Sequence, residues 1–377
     1  MIKIQIEANW RIGTSEAELA DPLLFRLLEA IQASGSLAKA AQTLGFSYRH
    51  IWGSLGKWEK AVGRPMVRLE RGRGAKLTNF GEKLVSAEQT ARARLELQIE
   101  TVQRDLEHEL SAELLRGTTN LVMHASHDLA LVHLRDLLQK LQGIQLQLQY
   151  QGSLESLDAL AQGRCDVAGF HLPEGGLETD FFLHRRAFKA RDHTLIRCAT
   201  RTQGLMVASG NPKGIHGLPD LTRSDVRLIN RQPNSGTRLE LDQLLREAGI
   251  DAGLIAGYDS LEFTHLAVAA TIASGMCDVG FGIEAAASQY KLGFIPLLRE
   301  RYYLACRNEI VNAQPVSSLI HVLKSSEFGA LAGGLAGYDW AGVGETLSAE
   351  VVLGTRNGTG GNVLRPEAKS ARGRGPS

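Results

Sequence analysis

At 377 residues the chain is too long for one ordinary core, and two or three domains are expected. Its 44% hydrophobic and 22% charged content is that of a globular protein, and with a net charge of only +1 the informative quantity is where the charge sits. The four cysteines (Cys165, Cys198, Cys277, Cys306) are far apart and form no CxxC pair, which argues against a structural zinc or a disulfide framework and for small buried hydrophobes. The alternation Met1-Ile2-Lys3-Ile4-Gln5-Ile6-Glu7 predicts a short strand rather than a signal peptide. No stretch approaches the length of a membrane span, so a soluble cytoplasmic protein without membrane contact is expected.

Asp21-Pro22 is expected to open a helix with Leu23, Leu24, Leu27, Leu28 and Ile31 on one side, and Gly35 to stop it. Ser36 then caps a short helix carrying Leu37, Ala40, Ala41 and Leu44. Gly45 ends that helix, and Ser47 caps a third through Ile51, Trp52, Leu55 and Trp58. Helix, glycine turn and helix of this size form a helix-turn-helix pattern. Residues 65–78 read as two short strands around a glycine-rich tip, a wing. Thr78 caps a long helix to about Leu110, with Phe80, Leu84, Ala87, Ala91, Leu95, Ile99, Val102 and Leu106 near helical or heptad spacing. A dimerisation helix is the economical reading of that stripe; an intrachain linker packed on the next domain is the alternative.

From Thr118 strands and helices alternate, with strands expected at 118–123, 144–150 and 165–170. A second α/β unit follows, with strands near 194–200, 204–208 and 226–230, helices at 236–248 and 264–275, and a strand at 278–282. The βαβ order implies mostly parallel sheets. Gly163-Arg164-Cys165-Asp166-Val167 and Gly275-Met276-Cys277-Asp278-Val279 resemble each other, as expected if two lobes share one plan. After Leu353 the composition predicts a disordered tail.

Between Ser47 and Thr78 there are eight Lys or Arg against two Glu, a local basic excess that suits a DNA duplex. Ser47, Tyr48, Arg49 and His50 open the candidate recognition helix, while Arg68, Arg71, Arg73 and Lys76 flank the wing tip, where they can grip phosphate or enter the minor groove. The stretch Gly35-Ser36-Leu37-Ala38-Lys39-Ala40-Ala41, with Leu44-Gly45-Phe46-Ser47-Tyr48-Arg49, Trp52 and Leu77-Thr78-Asn79-Phe80-Gly81, resembles the DNA-binding domain of molybdate-dependent, LysR-like regulators over about residues 20–110.

Polar clusters then recur where strands end and helices begin: Ser126-His127-Asp128, Gly152-Ser153, Asn230-Arg231-Gln232 with Ser235-Gly236-Thr237-Arg238, and Phe263-Thr264-His265. Ligands of open α/β sheets bind at such ends, where helix N–H groups favour anions. Ser153, Ser235 and Thr264 can equally be simple helix caps, and Arg231 and Arg238 can pair with Glu240, Asp242 or Glu262. Together with Gly210-Asn211-Pro212-Lys213-Gly214-Ile215 and Gly337-Tyr338-Asp339, these pieces are similar to the periplasmic-binding-protein-like domain related to molybdate- and tungstate-binding proteins, over about residues 118–345. That resemblance implies Ser126, Ser153, Ser235, Thr237 and Arg238 as oxyanion contacts, with Asn230, Arg231, Gly236, Thr264 and His265 beside them.

The implied molecule is multidomain: a winged helix-turn-helix over residues 1–82, a linker or dimerisation helix over 78–116, a two-lobed α/β periplasmic-binding-protein-like (type II) domain over 117–350, and a tail over 354–377. Its implied function is that of a homodimeric or dimer-of-dimers regulator of double-stranded DNA whose effector is molybdate or tungstate. An organic anion or metabolite as effector, or an anion-binding protein of a transport system, are the alternatives. No cofactor, metal site or catalytic residue is expected: consecutive Ser126-His127-Asp128 cannot form a hydrolytic relay, and neither a P-loop nor a dinucleotide fingerprint is present.

Overall fold

The computed structural model describes residues 4–14, 19–70, 74–114, 119–174, 189–233 and 235–354. In chain order the N-terminal part contains α1 (Leu23–Ser34), α2 (Leu37–Thr43), α3 (Tyr48–Val62), β1 (Val67–Glu70), β2 (Gly74–Leu77) and α4 (Asn79–Leu114). There follow β3 (Asn120–Ala125), α5 (Leu129–Gln142), β4 (Gln145–Tyr150), α6 (Ser153–Ala161), β5 (Val167–Pro173), β6 (His193–Val207), β7 (Leu228–Arg231) and α7 (Gly236–Glu247). Then come β8 (Leu261–Glu262), α8 (His265–Ala273), β9 (Val279–Ile283), α9 (Glu284–Gln289) and β10 (Gly293–Arg307). The last elements are α10 (Gln314–Leu323), α11 (Ser326–Ala332), β11 (Tyr338–Asp339), β12 (Thr346–Ser348) and α12 (Ala349–Gly354).

Local signals fix the N-terminal helices. Asp21 accepts the Leu23 N–H at 2.8 Å, and Gly35 takes a left-handed φ of 63° at the end of α1. Ser36 caps α2 by accepting the Lys39 N–H, and Ser47 caps α3 by accepting that of His50. Leu24, Leu27, Leu28 and Ile31 of α1 then pack with Leu37, Ala40 and Ala41 of α2, Ile51, Leu55 and Trp58 of α3, and Met66, Ala75 and Leu84. Each buried leucine contributes roughly 1.5–3 kcal/mol to that core. The wing is an antiparallel hairpin with Arg68 opposite Lys76, and its tip residues Arg71 and Arg73 lie outside the described residues. Residues 4–12 carry no regular secondary structure, so the described part of the expected N-terminal strand is not one. Among the described residues no strand pairs with it; instead Trp10 lies on Phe25, 4.2 Å between ring centroids, and donates its indole N–H to Glu88.

The chain divides into two compact units. The first joins residues 1–120 to 205–295, with a short segment at 147–150. Here β7 runs parallel to β8 and β9, and α4 packs on α8: Arg94 pairs with Glu262 at 2.6 Å, and the Thr90 hydroxyl donates to the Ala270 carbonyl at 3.4 Å. Along its first half the long helix thus packs within its own chain. Further along, Leu95, Val102 and Leu106 remain exposed.

The second unit holds residues 121–146, 151–204 and 296–377. In it β3 pairs in parallel with β5, whereas β10 pairs with β5 and both β11 and β12 with β6 in antiparallel fashion, so the sheet is mixed rather than mostly parallel. The strands expected at 194–200 and 204–208 are one 15-residue strand, β6. Arg201, Thr202 and Gln203 look like a polar break in sequence, yet Arg201 and Gln203 are buried within the strand. The equally long β10 is not foreseen from sequence, because Pro296 and the charged run Arg299-Glu300-Arg301 mask its pattern. Both long strands carry the chain from one unit into the other. The tail expected over 354–377 lies, apart from Gly354 in α12, outside the described residues.

The repeated Gly-x-Cys-Asp-Val segments play the same part in each unit. Asp166 accepts the Val122 N–H at 2.9 Å, and Asp278 that of Arg227 at 2.8 Å. Both cysteines are buried, and the glycines have φ of 70° and 75°.

Gly81 in the first turn of α4 tests the wing packing, because a Cβ there would come 2.3 Å from the Met66 carbonyl oxygen. Gly81→Ala is expected to lower stability by about 1–3 kcal/mol in urea unfolding. Gly56→Ala, with nothing within 4 Å, should raise it by about 0.5–1 kcal/mol.

Candidate functional site

At the N-terminus of α3 the structure displays what the sequence singles out. Tyr48, Arg49 and His50 are exposed, while Ser47 serves as the cap. Tyr48 is 50% exposed and stacks on Trp52, one turn along and 48% exposed. Phe46 stacks on His50 at 5.1 Å. Trp52 and Phe46 thus belong to the exposed face, whereas Trp58 belongs to the core. The sequence pattern counts both tryptophans as helix residues and does not separate them; the i, i+4 spacing of Tyr48 and Trp52 on the basic side is the signal for it. Arg68 and Lys76 face each other across the wing, both exposed. Like charges directly opposite weaken a hairpin, a cost that a phosphate between them removes.

In the second unit Ser126 and Ser153 come together, 3.5 Å between hydroxyl oxygens. Ser126 directly follows β3 and is partly exposed; Ser153 is the first residue of α6 and accepts the His171 backbone N–H at 3.3 Å. Sequence reasoning does not single out His171. It rises from β5, puts Nδ1 2.8 Å from the Ser126 hydroxyl, and stacks on Tyr302 at 4.0 Å. Its Nε2 lies 3.6 Å from Asp128, an electrostatic contact longer than a hydrogen bond. Asp128 caps α5 through the Ala130 N–H and accepts from Arg201 at 2.6 Å and from the Tyr338 hydroxyl at 2.8 Å. Arg201 also pairs with Glu300, and all three charged groups are at most 3% exposed. Because His171 Nε2 and Asp128 are not hydrogen-bonded, the arrangement is not a hydrolytic triad. Glu155 folds back over the helix start, its Oε2 2.1 Å from where a Cβ on Gly152 would be.

Burial pushes the Asp128 carboxyl up, but the His171 ring, the Arg201 charge and the Ala130 N–H outweigh it and hold Asp128 well below the usual carboxylate range. Burial and the Arg201 charge push the His171 imidazole below its ordinary value, against the pull of Glu300 and Asp128. Burial opposes the Arg201 charge, and Glu300, Tyr338 and Asp128 more than restore it.

The first unit collects the other candidates, and most have structural duties. Ser235 caps α7 by accepting the Arg238 N–H, and Thr264 caps α8 by accepting that of Ala267 at 3.0 Å. Asn230 donates to the Tyr258 carbonyl and accepts from the Arg231 N–H. Arg231 donates to Gln232 and to the Phe263 carbonyl at 2.9 Å. Arg238 grips Asp242 with Nε, reaches the Arg231 carbonyl, and lies over the Tyr258 ring at 4.0 Å. Of the pairings weighed from sequence, Asp242 is thus the one formed with Arg238. Thr237 and His265 are buried, and His265 abuts Gly282. No atom lies within 4 Å of where a Cβ on Gly236 would stand, so that side of the first residue of α7 is open. Among the described residues no group of His, Cys, Asp or Glu is placed to hold a metal ion, and no helix is long and apolar enough to cross a membrane.

Comparison with known proteins adds to this geometry. Residues 134–324 match the PBP superfamily domain, and residues 16–82 the bacterial regulatory helix-turn-helix protein of the lysR family. The uncharacterized protein YvgK of Bacillus subtilis (strain 168) is 34% identical over 209 residues, which are 55% of this chain and 65% of that protein, just under two thirds of its length. An uncharacterized Clostridium pasteurianum protein from the 5′ region of a ferredoxin 2Fe-2S gene is 38% identical over 109 residues, 29% of this chain and 96% of its own. Among solved structures, a hydrogen-peroxide-bound mutant of Corynebacterium glutamicum OxyR aligns over 84% of this chain and 94% of its own at 15% identity and a TM-score of 0.43. Full-length LysG of Corynebacterium glutamicum covers 84% and 99% at 19% identity and a TM-score of 0.39.

The buried charges make a sign-definite prediction. Asp128 and His171 both sit below their ordinary values, so the stability they contribute is present at neutral pH and is lost as pH falls. Urea midpoints should begin to fall below about pH 6.5, where His171 of the unfolded chain takes up a proton, and drop steeply below about pH 4, where Asp128 of the unfolded chain does. Asp128→Asn is expected to cost about 3–5 kcal/mol at neutral pH and to flatten that acid dependence.

Proposed function

We propose, for a chain that belongs to the PBP superfamily and carries a lysR-family helix-turn-helix ahead of that domain, that it is a DNA-binding transcriptional regulator whose effector is a small oxyanion, molybdate or tungstate. The observation that carries the DNA half is the capped start of α3, which holds Tyr48, Arg49 and His50 out to solvent beside a basic wing. Such a helix start enters a major groove, with Arg49 suited to guanine edges or phosphate and the flat Tyr48–Trp52 pair to thymine methyls or sugar. Arg68 and Lys76, with Arg71 and Arg73 of the tip, supply backbone contacts.

The oxyanion half is supported by the hydroxyl pair Ser126–Ser153 at the start of α6, and by Ser235, Gly236 and Thr237 at the start of α7. Hydroxyls and helix N–H groups only need to donate to a tetrahedral dianion, which only accepts. Arg238 and Arg231 stand at the start of α7 and the end of β7 as held charges, each committed to protein partners. Thr264 and His265 form the start of α8 beside them, and Asn230 holds the end of β7.

The homodimer reading rests on α4. Leu95, Val102 and Leu106 are exposed and spaced seven and four apart, a single stripe on the helix. A second copy of the same stripe is the partner such spacing fits, and a dimer presents two recognition helices to a two-fold operator. We place the working protein in the cytoplasm, where its DNA is.

Operator duplexes are selected from a random library on the wild-type protein and titrated by fluorescence anisotropy with and without molybdate. Arg49→Ala should weaken binding about tenfold or more while leaving the calorimetric response to molybdate unchanged. Leu95→Glu with Val102→Glu should convert the dimer to a monomer in sedimentation and lose the two-site mode. Calorimetry with molybdate, tungstate, sulfate and phosphate identifies the effector class; silence with all four moves the effector to an organic anion.

A further inference from the structure

We infer that His171 is the positioning residue of the anion site, turning the Ser126 hydroxyl, and that the protein takes up one proton on His171 with each oxyanion it binds. This rests on the oxyanion reading of Ser126 and Ser153 above. The ring is fixed: it is 7% exposed and stacked on Tyr302 with an interplanar angle of 12°. It meets Ser126 with one nitrogen and Asp128 with the other. Asp128 already accepts from Arg201 and Tyr338, so the oxygen facing Nε2 is an ionised acceptor. A nitrogen lone pair aimed at that oxygen would be repelled, so the neutral ring carries its hydrogen on Nε2. Nδ1 is then a bare acceptor, and its partner at 2.8 Å, the Ser126 hydroxyl, must donate to it.

A serine has one proton to give. With His171 neutral, Ser153 donates to Ser126 and Ser126 donates to His171, so both protons run inward and Ser126 turns lone pairs to any ligand. Ser153 also accepts the His171 backbone N–H, which leaves its own proton as its only gift to a ligand. An oxyanion finds no donor there. A proton on Nδ1 reverses the relay: the ring donates to Ser126, and both hydroxyls become free to donate outward.

The charge count points the same way. The groups that face the ring from the elements packed around it are Asp128 ahead of α5, Ser126 after β3, Ser153 of α6, Arg201 on β6, Glu300 and Tyr302 on β10, and Tyr338 on β11, which bonds Asp128. Around the ring, two carboxylates against one guanidinium leave one negative charge when His171 is neutral, which repels an anion; the imidazolium cancels that charge, while Glu155 at the start of α6 adds one of its own. Burial and Arg201 keep the ring neutral until an anion compensates them, so the proton arrives with the ligand.

The full chain with 15N-labelled histidine is tested in two ways. Long-range 1H–15N spectra of the free protein should show His171 as the Nε2–H form, becoming doubly protonated on adding molybdate. Calorimetric titration with molybdate, and with sulfate, which carries no proton of its own near neutrality, is run in two buffers of different ionisation heat. It should give close to one proton taken up per anion, with affinity falling about tenfold per pH unit. His171→Gln should bind without that pH dependence; Ser126→Ala, which keeps the ring in place, should lose the uptake if the glutamine variant does not fold. Binding by wild type without proton uptake overturns the role of His171 and leaves the oxyanion reading standing. No binding of either anion, or of tungstate, between mildly acidic and mildly basic pH overturns both.

Discussion

A guanidinium buried inside a β-strand is the constraint around which the second unit is arranged. Arg201 is 3% exposed, and a lone charge there would be untenable. Its neutralisation needs carboxylates at fixed places, which Asp128 and Glu300 provide from 73 and 99 residues away in sequence. Asp128 can serve only if the chain turns from β3 into α5 where it does, and the same carboxylate caps that helix. Tyr338 reaches Asp128 only because β11 pairs with β6 opposite Arg201. One buried charge thereby fixes the junction of β3 with α5, the register of β11 and the placing of β10. Replacing it with apolar groups would gain stability in principle; keeping it sets the electrostatics in which His171 and Ser126 stand.

The two units solve the same local problem with the same letters. A glycine in the left-handed region ends a helix, a buried cysteine follows, and an aspartate takes a backbone N–H at the start of the neighbouring strand. The pattern binds a βαβ crossover at its weakest point, where a helix must stop and a strand begin within a few residues. Above that shared frame the polar groups diverge. In the second unit they are gathered around buried charges, whereas at the start of α7 the positive charge of Arg238 is spent on Asp242, one turn along its own helix.

What the sequence makes legible follows the range of the forces involved. Ser36, Ser47, Gly35 and the leucine face of α1 act within one or two turns, and their consequences can be read directly. β6 and β10 cannot, because Arg201 looks like a break until Asp128 and Glu300 are brought to it by folding. His171 escapes notice for the same reason. It sits in the apolar run Val-Ala-Gly-Phe-His-Leu-Pro and reads as a buried strand residue, which it is; its nearness to Ser126 is a product of the parallel register of β3 and β5. Arg238 shows the other direction: its letters suit an anion, and folding adds partners from Tyr258 on another loop and Asp242 on its own helix. A cluster of polar letters at strand ends does not say which of its members have hydrogen bonds to spare.

The geometry of α4 bears on how such a molecule transmits a signal. The helix begins against the wing, with Gly81 on the Met66 carbonyl and Leu84 and Val85 in the core of the DNA-binding domain. A little further along, Thr90 and Arg94 are fastened to α8 and to Glu262, immediately before the Thr264 cap. A helix is stiff over this length, so the DNA-binding core and the start of α8 are joined by a rod rather than a flexible tether. Glu262 also accepts from Thr271, which ties the rod's anchor to the body of α8. Any displacement of α8 must therefore either break these bonds or carry α4 with it. Losing the Arg94–Glu262 pair, half-exposed at Arg94, together with the Thr90 bond and the packing of α4 on α8 costs more than tilting an intact helix about a packed interface. The lower-energy route moves α4, and with it both the recognition helix and the exposed stripe at Leu95, Val102 and Leu106 that a second copy would cover.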